Sequence, residues 1–184
     1  MPRLTDARKE LRRTQIAEAA MRCFSRSGLE RTSIADITAE SGLSPGSIYT
    51  HYRSKAELVQ AAARRALSER AAVIDEWVAS DAPPDPDELL ARLVASKDPA
   101  AARVAVQTWG EATTDPAIRA IVVDMIERTR AMLRDCVTAW LVKVEHEKPA
   151  AARERAKPIA ERVSALYLAQ LLAAGLQSPT EETI

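Results

Sequence analysis

The residues of this chain that could act as nucleophiles, general bases or metal ligands are few and scattered. Its two histidines, His51 and His146, stand in no recognisable frame with a cysteine or serine nucleophile. The carboxylates Asp124, Glu127 and Asp135 fall on the charged side of a predicted helix, where solvated surface is the ordinary interpretation. No glycine-rich phosphate loop is present, because the five glycines are widely spaced: Gly28, Gly42, Gly46, Gly110 and Gly175. We therefore expect no enzyme activity, no bound metal and no cofactor.

The two cysteines lie in different halves of the chain and lack metal-ligand spacing. Cys23 continues a series of apolar residues at helical spacing, namely Ile16, Ala19, Ala20 and Phe24. We expect it to be a small buried hydrophobe, and a redox-sensing thiol is the alternative.

Residues 32–58 carry a dense set of helix-capping signals. Ser33 followed by Asp36 is a serine-x-x-acid cap, and Gly42 suits the left-handed residue that ends a short helix. Ser44 then caps a second helix with Pro45 at its first position, which we expect to end at Tyr49 or His51. Ser54 and Glu57 repeat the cap and open a third helix. This spacing predicts a helix-turn-helix.

The outward residues of the second helix are small or polar, while Ile48 points to the core. Such a helix fits a major groove about 12 Å wide, and small side chains let its backbone approach the bases. We expect base contacts from Pro45, Ser47 and Thr50, and phosphate contacts from Tyr49, His51 and Lys55. The full candidate DNA-binding set is Thr32, Ser33, Ser44, Pro45, Gly46, Ser47, Tyr49, Thr50, His51 and Lys55.

Residues 10–60 resemble the DNA-binding domain of TetR-type transcriptional repressors. The shared pattern comprises Thr32-Ser33, Ile34-Ala35, Gly42-Leu43-Ser44, Gly46, Tyr49, His51-Tyr52 and Ser54-Lys55, at fixed spacing without a gap. Thr38 departs from the alanine usual in the family. Ala35 occupies a position where some members carry a base-reading arginine, so direct reading is expected to depend on the second helix.

The charge distribution agrees with a DNA-binding N-terminal half. The formal net charge of the chain is zero, but residues 1–70 hold 13 Lys/Arg against 8 Asp/Glu, and residues 71–184 hold 13 against 18. The basic half carries the motif. The acidic remainder argues against a protein that wraps DNA over most of its surface. Residues 1–15 are charged rather than apolar, and no stretch approaches the roughly 20 apolar residues of a membrane span, so we expect a cytoplasmic protein.

The whole chain is predicted to be helical, because no segment alternates polar and apolar residues. A first helix is expected over about 6–27, and a long one over 54–79 with Leu58, Ala62, Leu67, Val73, Ile74 and Trp77 on its apolar side. The proline-rich segment 81–87 breaks that helix. Asp98-Pro99 and Asp115-Pro116 each look like a helix start, and Lys157-Pro158 is predicted to start the last helix, which ends near Gly175.

Two of the predicted helices carry more apolar surface than one small core requires. Residues 118–144 and 159–176 are therefore expected to form a homodimer interface, a four-helix bundle with two helices from each chain, as the resemblance also implies. The alternative is burial within one chain. The interface residues that we predict are Val137, Trp140, Leu141, Val163, Leu166, Tyr167, Gln170 and Leu171.

The resemblance also implies a small effector held among the central helices. The candidate pocket residues are Trp77, Gln107, Trp109, Met125 and Met132, although an aromatic or methionine at helical spacing is ordinarily a core residue. Thr108 is a further polar residue in apolar surroundings.

Together these features predict an all-α protein with a helix-turn-helix domain at 1–54 and a helical effector-binding and dimerisation domain at 55–184. We expect a dimeric repressor of palindromic operators that a small, largely apolar effector releases. The alternative is an effector-independent or architectural DNA-binding protein.

Overall fold

The computed structural model describes residues 2–96 and 98–177, and within these ranges every regular element is an α-helix. The eight helices are α1 (Pro2–Ser27), α2 (Ile34–Ser41), α3 (Pro45–His51), α4 (Lys55–Ala79), α5 (Pro86–Ala95), α6 (Pro99–Glu111), α7 (Pro116–Lys143) and α8 (Pro149–Leu176). The all-α prediction is confirmed. A helix-turn-helix at α2 and α3 precedes a larger helical region.

The caps predicted for the helix-turn-helix are confirmed. The Ser33 hydroxyl accepts a hydrogen bond from the Asp36 backbone N–H, and the Asp36 carboxylate accepts one from the Ser33 backbone. Gly42 has φ 67°, the left-handed conformation that glycine adopts without a Cβ penalty. Ser44 caps α3 by accepting from the Ser47 N–H. At α4 the reciprocal half of the cap is shifted, because Glu57 accepts from the N–H of Arg53.

Three further helices begin with an aspartate cap followed by proline. Asp85, Asp98 and Asp115 each accept hydrogen bonds from backbone N–H groups of the first turn, and the next residue is proline in every case. Proline is tolerated there because the first helical N–H has no partner within the helix. The predicted starts at residues 99 and 116 are confirmed.

The predicted start of the last helix at Lys157-Pro158 is wrong. α8 begins at Pro149, and Pro158 lies inside it. Lys148-Pro149 has the same local chemistry as Lys157-Pro158, and burial of Ala152, Ala156 and Ala160 on both sides of Pro158 keeps the chain helical past the second proline. The predicted end of this helix near Gly175 agrees with the observed end at Leu176.

Two clusters of buried side chains stabilise the molecule. The N-terminal core joins α1–α4 to α6 and α7, with Phe24, Ile37, Ile48 and Leu58 fully buried. The C-terminal core lies among α4, α5, α7 and α8 and includes Ile74, Leu89, Leu133, Leu141 and Val163. α4 contributes to both cores, so it connects the helix-turn-helix to the larger region. Val73, predicted on the apolar side of α4, is instead exposed, because it lies one residue off the stripe that contains Ile74.

Candidate nucleic-acid interface

α3 presents a polar surface of small side chains to solvent. Pro45, Gly46, Tyr49 and Thr50 are exposed, with 56% of Tyr49 accessible, whereas Ile48 is fully buried and fixes the opposite side of the helix in the core. The Thr50 hydroxyl donates to the Gly46 carbonyl at 2.8 Å, one turn earlier in the same helix. A helix of this size and chemistry can enter the major groove.

Long-range hydrogen bonds from α1 fix the orientation of α3. The Arg13 guanidinium donates to the His51 carbonyl at 2.9 Å and lies 4.7 Å from the centre of the Tyr52 ring. The Tyr52 hydroxyl donates back to the Arg13 carbonyl, and Gln15 donates to the carbonyl of Ser41 at the end of α2. Burial raises the pKa of the Tyr52 hydroxyl further above its ordinary value. Arg13 and Gln15 were missed in the sequence, because no local pattern marks partners 26 and 38 residues apart.

The end of α3 and the start of α4 bring together groups that suit phosphate. The Lys55 ammonium donates to the Glu30 carbonyl at 3.1 Å, at the turn between α1 and α2. The His51 ring is half-buried, and its Nδ1, which has no hydrogen-bond partner among the described residues, is buried and so does not itself reach a phosphate. Tyr49 and the first turn of α4 lie beside them along the chain. Amide donors at a helix start, a cation and a phenol together match phosphate oxygens.

Thr32 and Ser33 of the predicted DNA-binding set have local structural roles, as Ser44 has at the cap of α3. Thr32 is only 6% exposed, and its hydroxyl donates to the Gly28 carbonyl. We therefore remove its side chain from the candidate contact set, since a buried and bonded hydroxyl cannot reach DNA. Ser33 is exposed, but its hydroxyl belongs to the cap of α2. Hydrogen bonds from the Ser33 backbone and then its side chain lower the pKa of the Asp36 carboxyl.

Ion pairs join α1 to α2 on the surface. Glu40 accepts from Arg22 at 2.6 Å and from Arg26 at 3.0 Å. Hydrogen bonds from Arg22 and then Arg26 lower the pKa of Glu40. The pairs are well exposed, so they orient α2 on α1 more than they stabilise the fold.

The five predicted effector-pocket residues do not line one common cavity. Trp77 and Met132 pack against the C-terminal core, and Trp109 packs against the N-terminal core. The side-chain oxygen of Gln107 accepts the Leu29 backbone N–H at 3.0 Å, which attaches α6 to the end of α1. The buried Nε1 of Trp109 lacks a hydrogen-bond partner among the described residues. Helical spacing correctly predicted that these residues face inward. It did not predict that they face two different cores.

Met125 alone among those five residues lines a groove between α4 and α7. The groove has a volume of about 410 Å³ and reaches the cap of α4 at Ser54 and Glu57. Apolar side chains of Leu67, Ile121 and Met125 contribute to its lining. Charged and polar side chains complete it: Glu57, Gln60, Arg64, Asp124 and Arg128. It is large enough for a small organic molecule.

Half of the predicted dimer residues are buried within a single chain. Val137, Leu141, Val163 and Tyr167 belong to the C-terminal core, so a partner chain cannot contact their side chains. Trp140 and Leu171 are half-buried against the same core, while Leu166 and Gln170 are exposed. Both faces of α8 are apolar, and the sequence alone does not tell which face packs inward. The outward apolar stripe consists of Ala165, Leu166, Ala169, Leu172, Ala173 and Leu176.

α8 is also long and apolar enough to cross a membrane, by length and composition alone. From the sequence we expected no stretch of this kind, and α8 departs from that expectation in its length and composition. Such a helix is weak evidence of a membrane span, and α8 packs along α5, α6 and α7. Only 22% of the window is buried, which leaves one face of α8 open to a partner.

Residues 16–62 match the family model described as bacterial regulatory proteins, tetR family. The HTH-type transcriptional regulator TtgR of Pseudomonas putida is 48% identical over 61 residues, which are 33% of this chain and 29% of that protein. The chain therefore matches less than a third of TtgR. The HTH-type transcriptional regulator BetI of Burkholderia thailandensis is 26% identical over 182 residues, 95% of this chain and 88% of that protein.

A solved structure extends the similarity to the whole fold. A transcriptional regulator from Saccharomonospora viridis, in complex with choline, has a TM-score of 0.62 and 26% identity, covering 85% of this chain and 81% of its own. The matched proteins are transcriptional regulators rather than enzymes. Similarity is strongest over the capped helices that present α3.

Proposed function

We propose that this chain is a repressor that binds a palindromic operator as a homodimer and leaves the operator when a small effector binds. Through residues 16–62 the chain belongs to the TetR family of DNA-binding transcriptional regulators. The observation that carries this proposal is α3, a capped helix anchored by Ile48 with an exposed surface of small polar residues. In each chain α3 enters a major groove. Pro45, Ser47 and Thr50 face the base edges.

Phosphate contacts on either side of α3 set its register on the duplex. Tyr49, His51 and Lys55 supply these contacts, together with the backbone N–H groups at the start of α4. Lys55 is held beside this site by its bond to the Glu30 carbonyl, so its ammonium is already oriented. The acidic second half stays away from the DNA.

Homodimerisation occurs through the outward apolar stripe of α8. Leu166 is 46% exposed and Leu176 is 70% exposed, and the alanines between them let a second helix approach closely. A row of exposed large and small apolar side chains at helical spacing is typical of a helix that pairs with another helix. A second copy of α8 has the matching surface, and a two-fold axis through it places two α3 helices on two half-sites.

The effector occupies the groove between α4 and α7. Its apolar part contacts Leu67, Ile121 and Met125, so a small and largely apolar molecule fits best. The groove includes the Ser54–Glu57 cap, which immediately follows the recognition helix. A ligand there acts directly on the connection between α3 and α4.

The C-terminal end of α4 is anchored to α7 and α8. A ligand bound in the groove therefore tilts α4 about this fixed end. The Lys143 ammonium donates to the carbonyls of Val78, Ala79 and Ser80, at 2.9, 3.2 and 2.8 Å. Arg70 donates to the Tyr167 hydroxyl at 2.7 Å. A ligand that widens the groove therefore moves the start of α4 more than its end. The two α3 helices then no longer fit their grooves together, and repression is relieved.

An effector-independent DNA-binding protein is the second candidate, and one observation favours it. The pocket residues expected from the sequence are divided between two cores, and the α4–α7 groove is only partly enclosed. Both candidate functions require access to chromosomal DNA, so we propose that the protein is cytoplasmic.

The experiment titrates candidate compounds into the protein with and without operator DNA and follows tryptophan fluorescence. The compounds are small, largely apolar molecules that suit the groove, and choline, which the similar regulator from Saccharomonospora viridis holds, is included as a cationic comparison. A true effector binds the DNA-free protein more tightly, and by reciprocity the operator weakens effector binding by the same factor. Equal affinity in both titrations identifies a passenger.

A matched pair of variants tests the location of the effector. Ala120 lines the α4–α7 groove and Ala151 is exposed on α8, outside it. Ala120→Trp fills the groove and should abolish effector binding, whereas Ala151→Trp should change neither effector binding nor operator binding. An effector that binds Ala120→Trp normally occupies another site.

A further inference from the structure

The first half of α1 extends beyond the folded core. All seven residues from 6 to 12 are exposed, whereas Arg13 is half-buried and Ile16 is fully buried. Leu11, an apolar residue, is 68% exposed and finds no cover. Helices without tertiary contacts are marginal in water, so this projecting segment gains little from the rest of the chain. The whole segment is therefore accessible to a partner.

The basic side chains of this segment share one side of the helix. With 100° between successive residues, Arg8, Lys9 and Arg12 fall within an arc of about 100°. Asp6 and Glu10 fall on the other side. The basic arc lies in line with the buried positions Ile16, Ala19, Ala20 and Cys23, so it continues the side of α1 against which the helix-turn-helix packs.

The segment starts beside the recognition helix. Arg13 is bonded to the His51 carbonyl at the end of α3, and Gln15 to the Ser41 carbonyl at the end of α2. Arg8 is five residues before Arg13, about 8 Å further along the helix axis. An arginine side chain there extends beyond the point at which α1 is bonded to α2 and α3. A duplex bound by α3 is the polyanion nearest to these three cations.

Resting on the proposed DNA-binding function, we propose that Arg8, Lys9 and Arg12 bind backbone phosphates of the duplex that flank the bases read by α3. The cations match the charge of DNA, and they precede, on the same helix, the Arg13 side chain that is bonded to the end of α3. The match to the family model begins at Ile16, so it assigns no role to these residues. Because phosphate contacts carry no sequence information, this arm adds affinity without adding specificity.

The test is the triple variant R8Q/K9Q/R12Q, in which glutamine preserves helix propensity and removes charge. Binding is measured on a duplex that carries the operator selected by the wild-type protein, and on a random duplex of the same length, at several salt concentrations. Each lost phosphate contact lowers the slope of log K against log[salt] by about 0.9, so a fall of two to three units is expected. The ratio of operator to random affinity should remain unchanged, and protection of the flanking phosphates should be lost.

The control is R130Q/R134Q/R153Q, which removes three exposed arginines of α7 and α8. This variant should keep the wild-type slope. An unchanged slope in R8Q/K9Q/R12Q would overturn the proposed arm, and so would a selective loss of operator affinity, which indicates base reading. Failure of the wild-type protein to select any operator would instead contradict the proposed function itself.

Discussion

Lys55 illustrates how a single side chain can be held in place for a partner. Its ammonium donates to the Glu30 carbonyl, and a phosphate placed at the start of α4 would meet the same cation. The sequence predicted this lysine as a phosphate contact from its position after the Ser54 cap. The bond to Glu30 was not predictable, because it depends on how the α1–α2 turn folds over α4.

Lys55→Ala should weaken binding to all DNA sequences, because it removes one phosphate contact. The expected change in salt dependence is about one unit of slope, measured by titrating operator and random duplexes from low to high salt. Lys55→Arg keeps the charge and serves as the control. An unchanged slope in a folded Lys55→Ala variant would show that Lys55 does not contact DNA.

The thiol of Cys136 should be unreactive in the native protein. Burial raises its pKa to about 11, and burial also raises the pKa of Cys23, so little thiolate is present near neutral pH. Labelling with iodoacetamide at pH 8 should be slow for both cysteines and complete only after denaturation. Rapid labelling of the native protein with loss of DNA binding would support the redox-sensing alternative for Cys23.

At the scale of elements, the caps were predictable and the packing was not. Each helix cap depends on a hydrogen bond to a residue three or four positions away, so the neighbouring sequence determines it. The capping residues are Ser33, Gly42, Ser44 and Ser54. Pro158 was wrongly predicted to start α8. The pairs Lys148-Pro149 and Lys157-Pro158 give the same local signal for a helix start, and only tertiary packing selects between them. Local signals fixed α2 and α3 well and the start of α8 poorly.

The inward and outward faces of α8 were the larger error. Val163 and Tyr167 pack on the C-terminal core, while Leu166 lies on the opposite side of the same helix. A helix that is apolar nearly all round gives no periodicity from which to choose its buried face. The candidate effector residues failed for a related reason, since spacing identifies an inward face but not which of two cores it enters.

Asp36 makes the α2 cap depend on pH. The pKa of its carboxyl is lowered in the folded protein by Ser33, so the cap is fully stabilising above the ordinary carboxyl value and is lost as pH falls through the folded value. Asp36→Asn should therefore lower the melting temperature at pH 7, and its difference from wild type should shrink under strongly acidic conditions. Asp75→Asn, an exposed carboxylate on α4, is the control. A difference that grows on acidification would contradict this role.

At the scale of the whole molecule, the apolar stripe of α8 determines assembly. Leu166→Arg places a charge on that stripe, and because Leu166 is exposed in one chain, the variant should fold. We expect the variant to sediment as a monomer at micromolar concentration. Its operator affinity should fall at least tenfold, since the two α3 helices no longer bind as a unit. Val123→Arg, an equally exposed aliphatic site on α7, should remain a dimer. Sedimentation of the wild-type protein as a monomer would rule out this interface.

The central claim is that two copies of this chain read DNA through paired α3 helices. The most direct measurement is selection of binding sites from random duplexes by the wild-type protein, followed by sequencing of the bound DNA. The account predicts enrichment of one approximately palindromic site, with half-sites about one helical turn or a multiple of it apart. Retention of DNA without sequence preference, or enrichment of a single unpaired half-site, would contradict it.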